Sequence, residues 1–232
     1  MNPVFKKLLL VPLVAILGAS PALANDAHTP RSDLVVRVES CEAILREFMA
    51  SPTTAIPQQV WQRARGLMIL SQFKAGFIFG VKGGYGVLMV KKPSGRWSLP
   101  VLIDASEASV GLQVGAKSVD TVCILTDDAT PRLLFSNRFN IGVDAKAVAG
   151  PSSANYENDA KRTFIAPVLV YSRSMGLFAG ATVKAGHVER NDIANFTLYN
   201  TSYTMPELLY SDWVSPPAEV QPLMAYVQQL SP

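Results

Sequence analysis

Gly66-Leu67-Met68-Ile69-Leu70-Ser71 is followed by Ala75-Gly76-Phe77-Ile78-Phe79-Gly80-Val81 and then by Tyr85-Gly86-Val87-Leu88-Met89-Val90-Lys91. Runs of this length, rich in β-branched and aromatic residues and cut by glycine, predict antiparallel strands joined by tight turns. The same texture continues, giving further strand expectations at 97–103, 108–114, 119–126, 164–172, 178–185 and 193–199. Lys92-Pro93-Ser94-Gly95 has the composition of a hairpin turn. Residues 142–156 become small and polar, which predicts a loop.

On the N-terminal side of this block, Leu34, Val38, Cys41, Leu45 and Phe48 recur at steps of four and three, with Arg37, Glu39, Glu42, Arg46 and Glu47 between them. That spacing predicts an amphipathic helix capped at Ser32 or Asp33 and ended by Ser51-Pro52. A shorter helix opens at Pro57 and turns Val60, Trp61 and Ala64 inward, so that residues 33–65 are helical. On the C-terminal side, residues 206–209 suggest a helical turn. In 218–229 a stripe of Val220, Leu223, Met224 and Val227 predicts a helix, making 205–230 helical. The expected architecture is α+β: a large, twisted or barrel-like antiparallel sheet covered by N- and C-terminal helices.

The first 24 residues have a different character. Lys6 and Lys7 precede the apolar run 8–18, and Ala22-Leu23-Ala24 supplies the small residues of a cleavage site, which together predict a secretory signal peptide cut after Ala24. The run is shorter than the ~20 apolar residues that span a bilayer and contains Pro12. No cysteine follows Ala24, so lipid anchoring at a new N-terminus is not expected. Residues 25–232 then form one domain, periplasmic or secreted. The net charge of +3 falls to +1 without Lys6 and Lys7, too little to imply a nucleic-acid partner. Export also makes a Cys41–Cys123 disulfide chemically permitted, with two buried free thiols as the alternative.

Catalytic chemistry has little material. The two histidines, His28 and His187, rule out a His-rich metal site, so neither a metal nor a cofactor is expected. Gly115-Ala116-Lys117-Ser118 resembles the end of a phosphate-binding loop but lacks adjacent Gly and Lys. Gly76, Gly80, Gly83, Gly84 and Gly86 can be read as a backbone cradle for phosphate or, preferably, as marks of bulges and sheet curvature. Asp127-Asp128 reads as a turn corner rather than a cation site. Asn195-Phe196-Thr197 and Asn200-Thr201-Ser202 match the glycosylation sequon and receive no role. A carboxylate-only site involving Glu189 or Asp192 is the residual enzymatic reading.

The order of motifs is what carries a resemblance. Arg65 to Leu70, Lys74 to Gly80, Gly84 to Leu88 and Trp97 to Pro100 are followed by Gly111 to Gly115, Asp120, Ala147 to Pro151, Tyr171 to Gly180 and Glu189 to Asp192. Taken together these strings, spread over about residues 35–230, resemble the SYLF lipid-binding domain. The resemblance implies no catalysis. In eukaryotic relatives the domain binds phosphoinositide membranes and is linked to actin patches, with Las17-binding members; bacterial relatives are envelope proteins. Where many relatives carry a Gly and Arg turn after Ala-Gly-Pro, this chain has Ser152-Ser153-Ala154-Asn155-Tyr156, which removes one cation.

The expected function is therefore non-catalytic binding of anionic phospholipid in the bacterial envelope by peripheral contact. Arg31, Arg37 and Arg46 of the first helix, with Lys74 and Lys82, are the candidate lipid contacts, although Glu39, Glu42 and Glu47 share that helix. The alternative is a structural or protein-interaction domain with a protein partner and no lipid dependence.

Overall fold

The computed structural model describes residues 29–51, 55–75, 79–110, 116–136, 138–151, 166–174, 177–178 and 187–232. The signal-peptide segment 1–24, His28 and the Ser152-to-Tyr156 departure lie outside these residues. The helices are α1 (Arg31–Met49), α2 (Gln58–Trp61), α3 (Asp192–Tyr199), α4 (Met205–Tyr210) and α5 (Gln221–Leu230), with 3-10 helices at Thr130–Ser136 and Ala218–Val220. The strands are β1 (Gly66–Ala75), β2 (Phe79–Val90), β3 (Val101–Val110), β4 (Ala116–Leu125), β5 (Arg138–Asn140), β6 (Ala147–Ala149), β7 (Val168–Ser174), β8 (Leu177–Phe178) and β9 (His187–Arg190).

Among the described residues these strands form one sheet in the order β5-β9-β3-β2-β1-β4-β7-β6, with β8 paired to β7. The sheet is curled, and it is mixed rather than wholly antiparallel because β6 runs parallel to β7. Leu67 to Leu70, Val87 to Val90, Val101 to Ile103, Val122 to Leu125 and Val168 to Tyr171 are all buried. Burial of consecutive residues means that both faces of the sheet are covered in this half. Helix α1 supplies part of that cover with Leu34, Val38, Cys41, Ile44, Leu45 and Phe48, packing on β1 and β2.

Several elements depart from expectation. The separate runs at 75–81 and 85–91 belong largely to one strand, β2, which passes through its glycines. A Cβ on Gly84 would lie 2.2 Å from the carbonyl oxygen of Ser71, and one on Gly86 would lie 2.2 Å from that of Ile69. Gly84 and Gly86 thus serve the close approach of β1, a role different from the bulges and sheet curvature expected of them. Residues 193–199 form a helix, not a strand. The Asn191 side chain accepts from the Ala194 N–H at 2.9 Å and caps α3, and that local bond outweighs β-propensity. The strand expected from Trp97 begins only at Val101, Trp97 making an isolated bridge to Lys91. Neither Ser32 nor Asp33 caps α1, whose N-cap residue is Pro30. Asp127 behaves as expected: its carboxylate accepts from the N–H groups of Ala129 and Thr130 and opens the first 3-10 helix.

Candidate functional site

Among the described residues, the strand register assembles a row of like charges in the sheet. Lys74 on β1 is the Cα partner of Lys82 on β2 and of Lys117 on β4, so three lysines occupy one row across three neighbouring strands. Glu107 on β3 continues the row as the partner of Lys82. Like charges placed directly opposite one another in a sheet repel, by roughly 0.2–1 kcal/mol per pair. The sequence singles out Lys74 and Lys82 but not Lys117, which stands in the string that echoes the end of a phosphate-binding loop. The pairing of β1 with β4, 43 positions apart at this row, is the signal that finds it.

The three arginines of α1 are engaged elsewhere. Arg31 pairs with Glu219 at 2.7 Å and donates to the Leu198 carbonyl at 3.0 Å. Arg46 pairs with Glu42 at 2.7 Å and lies 4.1 Å above the Tyr226 ring, while Arg37 lies 5.5 Å from the Tyr85 ring. Arg31 and Arg46 thus tie α1 to the C-terminal helices, and Arg37 ties it to β2. The Glu219 carboxyl is held below its ordinary range chiefly by the hydrogen bond from Arg31.

Cys41 and Cys123 are free and buried. Burial, reinforced by the charge of Asp120, pushes the Cys41 thiol well up; burial alone pushes Cys123 up to about 12. Such thiols are inert rather than nucleophilic at neutral pH.

Other residues from the recognised strings tie strands and helices together away from the row. Arg173 on β7 bonds Asp120 on β4 at 3.4 Å and also Glu47 on α1. Asn191, besides capping α3, donates to Asp104 at 2.8 Å, and Arg190 binds Asp192 and the Phe135 carbonyl. A Cβ on Gly150 would lie 2.0 Å from the Tyr171 ring, whose hydroxyl donates to the Pro151 carbonyl at 3.3 Å. The sequon asparagine Asn195 is fully buried, which closes it to a glycan.

A groove of about 440 Å³ opens between the 92–97 turn and the C-terminal helices. Asp212 at its rim binds Lys92 at 2.7 Å and Arg96 at 2.8 Å and is held below the ordinary carboxylate range, first by the Lys92 hydrogen bond. Trp213 follows, 64 % exposed, with its ring centroid 5.2 Å from that of Tyr203. No helix among the described residues is long and apolar enough to cross a membrane.

Comparison with known proteins places this arrangement. Residues 106–230 match the family model Ysc84, described as Las17-binding protein actin regulator. The SH3 domain-containing YSC84-like protein 1 of Rattus norvegicus is 30 % identical over 198 residues, covering 83 % of this chain and 58 % of that protein. Its Homo sapiens counterpart is 30 % identical over 191 residues, covering 80 % and 56 %. LAS seventeen-binding protein 3 of Saccharomyces cerevisiae is 34 % identical over 176 residues, covering 75 % and 38 %. The chain thus matches only part of the length of each of these relatives. No solved structure matches. With its family model spanning more than half of its length, the chain belongs to the Ysc84 (SYLF) family, a family of binding and actin-regulator domains.

Proposed function

We propose that this chain is a non-catalytic lipid-binding domain of the bacterial envelope, exported with removal of residues 1–24, that docks peripherally on anionic phospholipid. The observation that carries the reading is the row Lys82–Lys74–Lys117. Within the isolated fold its two like-charge pairs are a cost of roughly 0.2–1 kcal/mol each. Near an anionic surface each lysine gains about 1 kcal/mol, so three of them outweigh that cost. The +1 charge of the mature chain leaves binding to depend on this local concentration of cations rather than on the whole-molecule field. Arg31, Arg37 and Arg46, already engaged within the fold, serve to hold α1 in place under this reading.

Vesicle flotation tests it. The protein, purified as its host processes it, is expected to float with vesicles containing phosphatidylglycerol, to ignore phosphatidylcholine alone, and to release as salt rises towards 0.5 M. Equal absence from both vesicle types sinks the proposal.

A second reading rests on Trp213. A tryptophan 64 % exposed, beside a groove and a second aromatic ring, has the character of an interface anchor. The relatives' names, which speak of Las17 binding and SH3 domains, are in keeping with a protein partner. Loss of a co-purifying protein in Trp213→Ala, with vesicle binding unchanged, is the result expected of this reading.

A further inference from the structure

We infer that the bilayer meets the lysine-bearing end of the sheet end-on, with the residues beyond the row entering the boundary between head groups and acyl chains. The inference rests on the lipid-binding reading and adds an orientation and a depth to it. Along β1 to β4 the strands change character in a fixed order. The half containing Leu67, Val87, Leu102 and Ile124 is buried against the rest of the fold. A polar band with Ser71, Gln72 and Ser118 follows, and then the row of Glu107, Lys82, Lys74 and Lys117.

Beyond that row the register runs through Ala108, Val81, Ala75 and Ala116, then Gly80 with Ser109, then Phe79 with Val110. None of these described positions carries a charge. Strand ends that face water select Asn, Asp, Gly and Ser for their turns. Alanine and valine predominate here instead, with Phe79 at the last paired position.

The spacing fits a membrane interface. Phe79 is three positions past Lys82, and at about 3.4 Å per residue it lies roughly 10 Å further along the strand. Apolar faces of interfacial elements sink ~5–10 Å below the head groups, so lysines at head-group depth put Phe79 and Val110 at the acyl boundary. Glu107 trims the row to two net positive charges, which the potential of an anionic surface attracts and a neutral surface does not. A free phosphate would satisfy the lysines and leave the apolar end without a role; a bilayer uses both.

The test combines two variants with different salt behaviour, measured on vesicles of phosphatidylcholine with 30 % phosphatidylglycerol. Lys74→Gln with Lys117→Gln removes both like-charge pairs, which favours the fold, and is expected to weaken binding about 30-fold at 0.1 M salt, about 5-fold per lysine, with the loss fading at 0.5 M. Arg132→Gln with Lys146→Gln removes the same charge elsewhere and is expected to bind like the parent. Phe79→Ser is expected to weaken binding at least 5-fold at both salt concentrations. Phe79→Trp keeps the residue apolar; its emission, taken as the difference from the parent protein, is expected to shift to the blue on vesicles.

Equal binding by the lysine variant and the parent overturns the inference while leaving lipid binding intact. Loss with the lysine variant, but no effect of Phe79→Ser and no shift with Phe79→Trp, overturns insertion. If the parent ignores these vesicles altogether, the lipid-binding reading itself has failed.

Discussion

Arg173 and Asp120 are Cα partners across β7 and β4, and the guanidinium that bonds the carboxylate at 3.4 Å also reaches Glu47 of α1. One side chain therefore joins two strands and the first helix. The Arg173 and Asp120 side chains are 17 % and 21 % exposed, so solvent screens the pair only in part. Arg173→Met is expected to cost about 1–3 kcal/mol in urea unfolding, and Asp120→Asn in the same background is expected to cost less than it does alone. Additive losses in the double-mutant cycle refute this coupling.

Asn195 holds the backbone of β3. Its Oδ1 accepts from the Leu102 N–H at 2.7 Å, and its Nδ2 donates to the Leu102 carbonyl at 2.9 Å and the Asn191 carbonyl at 2.8 Å. Asn195→Ala orphans buried backbone groups and is expected to cost about 2–4 kcal/mol, lowering Tm by roughly 5–15 °C in a chain of this size. Thermal melts by circular dichroism check it.

These two residues also mark where sequence reading stops. Apolar texture located β1, β4, β7, α1 and the C-terminal helices, because periodicity reports which faces are buried, but it split β2 and β3 into two runs each, since Gly83 and Gly84 interrupt the first and Asp104 to Glu107 the second. It misread 193–199, since Ile193, Phe196 and Tyr199 are strand formers by type while the cap at Asn191 is a single local bond. It passed over β5, β6 and the 3-10 helix Thr130–Ser136, because segments this short carry no periodicity. Only two of the three row lysines were selected, because strand register is a long-range property. The engagement of Arg31 by Glu219, 188 positions away, was hidden for the same reason.

Gly86→Ala places a methyl group 2.2 Å from the Ile69 carbonyl oxygen and 2.7 Å from a Leu70 methyl. Backbone on the receiving side leaves little room to relax, so the substitution is expected to cost about 2–3 kcal/mol or to abolish soluble expression. Gly83→Ala, where a Cβ meets nothing within 4 Å, is the matched control and is expected to stay within about 1 kcal/mol of the parent. Urea midpoints for the two variants provide the comparison.

Cys41 and Cys123 titrate high because burial disfavours their thiolates. Neither is expected to react with a thiol reagent in the native protein at pH 8, and both are expected to react once denaturant is added. A native protein with no thiols to count after denaturation disproves this.

Acid is expected to loosen the C-terminal segment first. Lys92 lowers Asp212, Arg31 lowers Glu219 and the Thr204 N–H lowers Glu207. With the folded carboxyls below their unfolded values, the unfolded chain binds more protons. Their stabilisation is thus complete above the unfolded range of about 4 and is lost as pH falls through the folded values. Tm measured from pH 7 to pH 3 is expected to hold level to about pH 5 and then fall, with a shallower fall in Asp212→Asn. A fall that begins above pH 6 contradicts this assignment.

The attachment of α1 to the end of the chain sets a delay in biosynthesis. Its apolar stripe is covered in part by α3, α5 and the 3-10 helix Ala218–Val220, and Arg31 finds its carboxylate only after 188 further residues have been made. At ~5–20 residues per second that interval is on the order of 10–40 s. For that time a finished amphipathic helix waits with Leu34, Val38, Ile44 and Phe48 short of their final cover. The nascent chain is then a natural client for a holding chaperone, and deletion of α5 is expected to extend that dependence from seconds to the lifetime of the molecule.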